Sequence, residues 1–258
     1  MKYLDLTLPT PAENLACDEA LLDWCDAGDG PEVLRFWEPQ QHFAVVGYSN
    51  QVEREVNVDA CRERGISILR RCSGGGTVLQ GPGCLNYSLI LRIDSDPALQ
   101  TVTGTNRFVM ERNRAALEKL LSDRNRCEEA PSPNSALRTP HSALCVRGHT
   151  DLTLDGRKIS GNAQRRKRRA LLFHGTFLLN FDVPLVSELL PLPSKQPDYR
   201  QRRSHAEFLI NLKASASEVK SALNEFWSAI DEIRDTPKHA IRQLAAQKYS
   251  TNEWNFKR

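Results

Sequence analysis

The chain has 258 residues, 40% of them hydrophobic and 26% charged, a mixture that supports a sizeable core and excludes intrinsic disorder. Lysine and arginine number 35 against 32 acidic residues, and a formal charge of +3 excludes wholesale polyanion binding while leaving room for local basic patches. Seven cysteines with no CxxC pair read as reduced thiols of a cytoplasmic protein, and no apolar run reaches the roughly 18 residues that span a bilayer.

In chain order, Asp5, Pro9, Pro11, Glu13 and Asp18 break up the N-terminal segment, so no export signal is expected there. Ala12 to Cys25 has helical spacing of apolar residues. Strands are predicted at Val33–Trp37, His42–Gly47, Ile66–Arg70 and Asn86–Ile93, with a short helix near Asp59–Arg64. Asn106 to Ser122 is the clearest amphipathic helix, followed by a surface excursion over Arg124–Pro140. Asp151–Leu154, Lys158–Gln164 and Leu171–Asn180 predict an antiparallel meander with a turn at Asp155-Gly156. Ser187–Arg203, with its prolines, reads as a linker. A helix from Ala214 carries Val219, Leu223, Phe226, Trp227 and Ile230 on one face, and another covers His239–Gln247.

Two segments carry chemistry. Arg70-Arg71-Cys72-Ser73-Gly74-Gly75-Gly76-Thr77 follows a predicted strand; its glycines permit close backbone approach and its arginines supply charge, so its natural guest is a phosphate or carboxylate. It is neither a Walker loop nor a GxGxxG fingerprint. In Lys158–Gln164, alternation puts Lys158, Ser160 and Asn162 on one strand face. The run Arg165–Arg169 reads first as a solvated hairpin tip and second as a dock for an acidic domain. His174, Trp37 and Trp254 read as structural residues.

Phe36-Trp37-Glu38-Pro39, Val45-Val46-Gly47-Tyr48-Ser49-Asn50-Gln51, Glu55-Val56-Asn57 and the glycine-rich segment resemble, in order and spacing, signatures of the lipoate-protein ligase A family. Gly148-His149-Thr150-Asp151-Leu152, the Lys158 strand, Phe173–Asn180 and Lys248–Asn255 resemble its later blocks. The resemblance implies an α+β fold, a mixed β-sheet flanked by helices, with a biotin/lipoate ligase-type catalytic domain over 1–213 and a short helical extension over 214–258. It implies an ATP-dependent lipoate-protein ligase that uses ATP and Mg2+ to convert lipoate to an acyl-adenylate. The acyl group then passes to a lysine of a lipoyl domain, in 2-oxoacid dehydrogenase E2 subunits or the glycine cleavage H protein. Lys158 would be catalytic. Arg71, Ser73, Gly74, Gly75 and Gly76 would hold the acyl group, and Asp151, Lys158 and Asn162 the nucleotide. No resident metal, nucleic acid or membrane partner is expected, and the protein is expected to be a monomer.

Two departures support an alternative. Gly81-Pro82-Gly83-Cys84 stands where the ligases carry Asp-x-Gly-Asn and is closer to the His-Gly-Pro-Gly of related octanoyltransferases, so a metal- or nucleotide-binding carboxylate is missing. Cys145 precedes Lys158 as a nucleophilic thiol does in cysteine-dependent octanoyltransferases, which take octanoyl from acyl carrier protein as a thioester without ATP. Cys84 is a lesser candidate for the same role.

Overall fold

Thr10 opens the first helix with a reciprocal cap: its hydroxyl accepts from the Glu13 N–H at 3.2 Å and the Glu13 carboxylate accepts from the Thr10 N–H at 3.0 Å, with proline next. Gly28, at φ 95°, ends it. In the computed structural model, which describes residues 1–128, 144–193 and 195–257, this helix is α1 (Pro11–Ala27).

The strands are β1 (Lys2–Asp5), β2 (Val33–Trp37), β3 (Phe43–Val46), β4 (Ser67–Arg70), β5 (Val78–Gln80), β6 (Cys84–Arg92), β7 (Leu144–Arg147), β8 (Asp151–Leu154), β9 (Arg157–Arg166), β10 (Ala170–Leu178) and β11 (Asp231–Glu232). The remaining helices are α2 (Val52–Glu55), α3 (Val58–Glu63), α4 (Val102–Glu128), α5 (Val183–Leu189), α6 (His205–Phe208), α7 (Ala216–Phe226), α8 (Lys238–Leu244) and α9 (Asn252–Asn255). Eight strands form a mixed sheet in the order β11-β1-β2-β6-β10-β9-β8-β7, and β4-β3-β5 form a smaller one. This is an α+β fold of mixed sheets flanked by helices.

Strand alternation gives the large sheet two different faces. Leu34, Phe36, Leu85, Leu89, Phe173 and Phe177 point to one and pack in a core with Val109, Leu117, Val219 and Leu223 of α4 and α7. The opposite face, under α1, carries two transverse rows set by the register: Trp37–Asn86–Thr176–Gly161 and Arg35–Ser88–His174–Ala163. These polar rows are the floor of the site.

The structure departs from the sequence reading in several places, among them the alternation of Lys158, Ser160 and Asn162, which a bulge at Ile159 breaks so that Lys158 shares a face with Gly161. α4 extends past Asn106 and Ser122 at both ends, so Arg124–Glu128 are helical; the rest of the expected excursion, 129–140, lies outside the described residues. β7 is an additional strand ahead of the meander. Ser187–Arg203 is no solvated linker, because Leu189, Leu190 and Arg200 in it are buried. Ile230 is 80% exposed, because α7 stops at Phe226 and Ser228 turns the chain at φ 50°. Among the described residues no helix is long and apolar enough to cross a membrane.

Candidate active site

The polar rows open into a cleft of about 990 Å3 between the large sheet, the glycine-rich loop and residues 193–209. Lys158 is brought to its middle by an irregularity in the β8–β9 ladder: Thr153 pairs with Lys158 and Leu152 with Ser160, so Ile159 is the extra residue and turns into the core. Lys158 Nζ lies 2.7 Å from Asp151 Oδ1, and the Tyr199 hydroxyl donates to Asp151 Oδ2 at 2.7 Å. Burial and the adjacent carboxylate push the Tyr199 phenol well above its ordinary value. A Cβ at Gly161 would stand 2.4 Å from the Lys158 Nζ, so a side chain there would push the ammonium from this position.

On the edge strand, Leu144 and Val146 pack on the core, which turns Cys145 and Arg147 to the cleft face. The ladders set Cys145 opposite Thr153 and Thr153 opposite Lys158, two strand spacings or about 10 Å across. Cys145 is half-buried, whereas the other described cysteines are buried. Burial pushes the Cys17 thiol up to about 11 and those of Cys72 and Cys84 up to about 12, which leaves them protonated and unreactive at neutral pH.

The glycine-rich loop is shaped by Arg71, which burial depresses to about 10. Its guanidinium donates to the carbonyls of Gly74 (2.6 Å), Gly76 (2.7 Å) and Val45 (3.3 Å) and, through Nε, to Ser73 Oγ at 3.1 Å. Ser73 Oγ in turn shares a hydrogen bond of 2.5 Å with His174 Nε2, and His174 Nδ1 faces Asp18 Oδ2 at 3.7 Å. Asp18 is fully buried; burial raises its carboxyl, but Arg35, with Nη1 at 2.5 Å, and His174 hold it below the ordinary carboxylate range.

Two further clusters are closed on themselves. Gln80 Nε2 donates to Thr176 Oγ1 (2.7 Å), Thr176 Oγ1 to Asn86 Oδ1 (2.5 Å) and Asn86 Nδ2 to Gln80 Oε1 (3.0 Å), a complete ring on the cleft floor. The Asn162 amide accepts from the Tyr87 hydroxyl at 2.6 Å and donates to the Thr150 carbonyl at 2.7 Å, so it braces the turn before Asp151.

Of the residues singled out from the sequence, Lys158, Asp151, Asn162, Arg71, Gly75 and Gly76 line the cleft. Ser73 lies fully buried behind the loop, and Cys145 sits on the cleft face beyond its wall. Sequence reasoning missed Asp18, legible as a carboxylate in the helical stripe Leu15, Asp18, Leu22, and Tyr199, for which the sequence offers no periodic cue. The Arg165–Arg169 run is tied down in part: Arg166 donates to the Leu99 carbonyl at 2.6 Å, Asp26 accepts from the Arg169 N–H at 2.6 Å, and Lys167 pairs with Asp23.

The residues present do not fit a magnesium-bound nucleotide, which needs carboxylate oxygens free to coordinate. Asp151 gives one oxygen to Lys158 and the other to Tyr199. At Gly81 an added Cβ would lie 2.2 Å from His42 Cδ2, so no carboxylate side chain fits without a shift.

The family model of the lipoyl protein ligase A/B catalytic domain matches residues 10–231. Octanoyltransferase LipM of Geobacillus kaustophilus is 30% identical over 274 residues, spanning 100% of this chain and 98% of that protein. Octanoyltransferase LipM of Bacillus subtilis is 28% identical, spanning 100% and 98%. Among solved structures, a bi-partite lipoate protein ligase of Thermoplasma acidophilum, described together with its E2 lipoyl domain, is 27% identical with a TM-score of 0.77 over 99% of this chain and 96% of that one. A lipoate-protein ligase A bound with ATP is 28% identical, with a TM-score of 0.73 over 99% of both chains. The end-to-end octanoyltransferase relatives overturn the expectation of an ATP-dependent ligase acting through an acyl-adenylate, with ATP, Mg2+ and free lipoate as its cofactors and substrate. The occupied Asp151 and the crowded Gly81 are the physical reasons.

Proposed function

Because the chain belongs to the lipoyl protein ligase A/B catalytic domain family, we propose that it is an octanoyltransferase of protein lipoylation, carrying octanoyl from an acyl carrier protein thioester to a lysine of a lipoyl domain through Cys145. The observation that carries this reading is Cys145 itself: a half-buried thiol on the cleft face, in the same transverse row as Lys158, among described cysteines that are otherwise buried. The end-to-end octanoyltransferase relatives support the reaction class.

In the first step the Cys145 thiolate attacks the thioester carbonyl. The carrier sulfur leaves and takes up the proton that Cys145 gave up, so an octanoyl thioester forms as another breaks. In the second step the acceptor lysine amine attacks the Cys145 thioester, and an amide forms as the Cys145 sulfur departs with the amine's proton. The Lys158 ammonium, held by Asp151, offsets charge on the carbonyl oxygen in both tetrahedral states. The row Gly161–Thr176–Asn86–Trp37 crosses three strand spacings, about 14 Å, enough for an extended octanoyl chain ending at Leu15, Trp37 and Val45. The acceptor is the lipoyl domain of an E2 subunit or a glycine cleavage H protein.

The test is intact mass of an apo lipoyl domain after incubation with octanoyl-acyl carrier protein and no ATP. A gain of one octanoyl group with wild type and none with Cys145→Ser is expected. Equal transfer by Cys145→Ser, or no transfer by wild type, overturns the reading.

A further inference from the structure

An octanoyl chain leaves most of the cleft unfilled, since each methylene takes about the volume of one water, roughly 30 Å3, against the 990 Å3 present. The remainder lies on the Tyr199 side of Lys158, and its wall contains Arg200, only 4% exposed. This guanidinium lies over the Phe208 ring at 4.5 Å, and its Nε donates to the Arg203 carbonyl and its Nη2 to His205 Nδ1. Among the described residues no carboxylate pairs with it, and Nη1 makes no hydrogen bond. Burial and the neighbouring Arg203 pull Arg200 below its ordinary value, and the Asp151 carboxylate, already bound to Lys158 and Tyr199, offsets this only in part, so a further anion at this wall would stabilise the guanidinium.

The mouth beside it repeats the sign. Arg147, His149 and Lys195 are exposed on the cleft rim, and their side chains have no ion pair among the described residues. A Cβ at Gly148 would lie 3.7 Å from both Pro197 Cβ and Tyr199 Cε1, so the Arg147–His149 segment packs against the one that carries Lys195. Asp198 is the acidic residue of this rim, and Asp151 is already engaged.

We propose that Arg200, Arg147 and Lys195 form an anion subsite for the phosphate of a phosphopantetheine-linked thioester donor, whose amide-rich arm lies folded in the Tyr199 side of the cleft. The inference rests on the octanoyltransferase reading and names how that donor is held. The arm carries its phosphate at the end remote from the thioester sulfur, so a basic rim away from Lys158 is where that group would come to rest. A nucleotide phosphate has the same chemistry, so the test separates the two sources.

The experiment compares kcat/KM for octanoyl-phosphopantetheine, octanoyl-pantetheine and octanoyl-N-acetylcysteamine, and measures calorimetric binding of phosphopantetheine and of ATP. Wild type should prefer the phosphorylated arm to octanoyl-pantetheine by tenfold or more. It should also bind phosphopantetheine more tightly than ATP, with affinity falling as salt rises. Arg200→Gln and, should that variant fold poorly, the exposed Arg147→Glu/Lys195→Glu pair should lower the preference ratio about tenfold. Equal use of the phosphorylated and unphosphorylated thioesters overturns the subsite and leaves the enzyme reading standing, as does a preference that survives both variants. Tighter binding of ATP overturns the assigned occupant. Wild type turning over none of the three thioesters sinks the subsite and the octanoyltransferase reading together.

Discussion

Gly161 and Lys158 share one volume: the position a Cβ would take on residue 161 is 2.4 Å from the Lys158 ammonium nitrogen, which itself rests on Asp151. Gly161→Ala should therefore displace the ammonium and leave the sheet intact. A displacement of about 1 Å is worth roughly a hundredfold in rate, so acyl transfer should fall by about that factor while the thermal midpoint moves little. Wild-type turnover in Gly161→Ala would show that Lys158 need not sit there.

Alkylation of the native protein should begin at Cys145. Cys145 is half-buried, whereas the thiols of Cys72 and Cys84 are buried and pushed up to about 12. Peptide mapping after brief iodoacetamide treatment should find Cys145 carbamidomethylated ahead of the other described cysteines, with activity lost in step; labelling of Cys84 at the same rate contradicts this.

Asp18→Asn should destabilise the fold by about 3–5 kcal/mol, the cost of leaving one member of a buried ion pair alone, since Arg35 is fully buried against it. The pH dependence has a definite sign. The Asp18 carboxyl is depressed in the fold, so its stabilisation is present above the unfolded carboxylate value of about 3.9 and is lost as pH falls through the lower folded value. Acid denaturation curves should be flatter for Asp18→Asn than for wild type; equal acid slopes would remove Asp18 from the account.

Asn162→Ala should act through stability and loop order. It removes the acceptor of the Tyr87 hydroxyl, to which Asn113 Nδ2 still donates, and the side-chain donor to the Thr150 carbonyl, and burying unmet polar groups costs about 1–3 kcal/mol each. Urea titration should show a loss of a few kcal/mol, and faster hydrogen exchange should be confined to the turn at 148–151. A midpoint equal to wild type refutes the bracing role.

The strand and loop that line the cleft were more legible than the wall around them. Alternation singled out Lys158 but set it on one face with Ser160 and Asn162, whereas the bulge at Ile159 turns Lys158 to the cleft beside Gly161 and leaves Asn162 against Tyr87 on the core face. The glycine loop stood out because three consecutive glycines lie close to two arginines. The reaction was misread because the glycine loop and Lys158 do not by themselves separate the two reactions weighed from the sequence, and Gly81 and Cys145 were given less weight than the resemblance to the ligases. Ser187–Arg203 was misread for a different reason. Prolines and arginines look solvated in a one-dimensional pattern, yet Arg200 is buried by Phe208, and that partnership is tertiary.

Arg70 has a further consequence for how the protein is made. This buried guanidinium donates to the carbonyls of Gly47, Tyr48 and Asn50 on one side and of Trp254 and Lys257 on the other. Trp254 and Lys257 are translated more than 180 residues after Arg70, with sequence separations of 184 and 187. Synthesis runs from the N-terminus, at about 5–20 residues per second. The loop behind the glycine-rich segment therefore stays incompletely anchored for about 10–40 seconds while the rest of the sheet emerges from the ribosome. The backing of the glycine-rich loop is thus completed late in the synthesis of each molecule, after nearly all of its chain has been made.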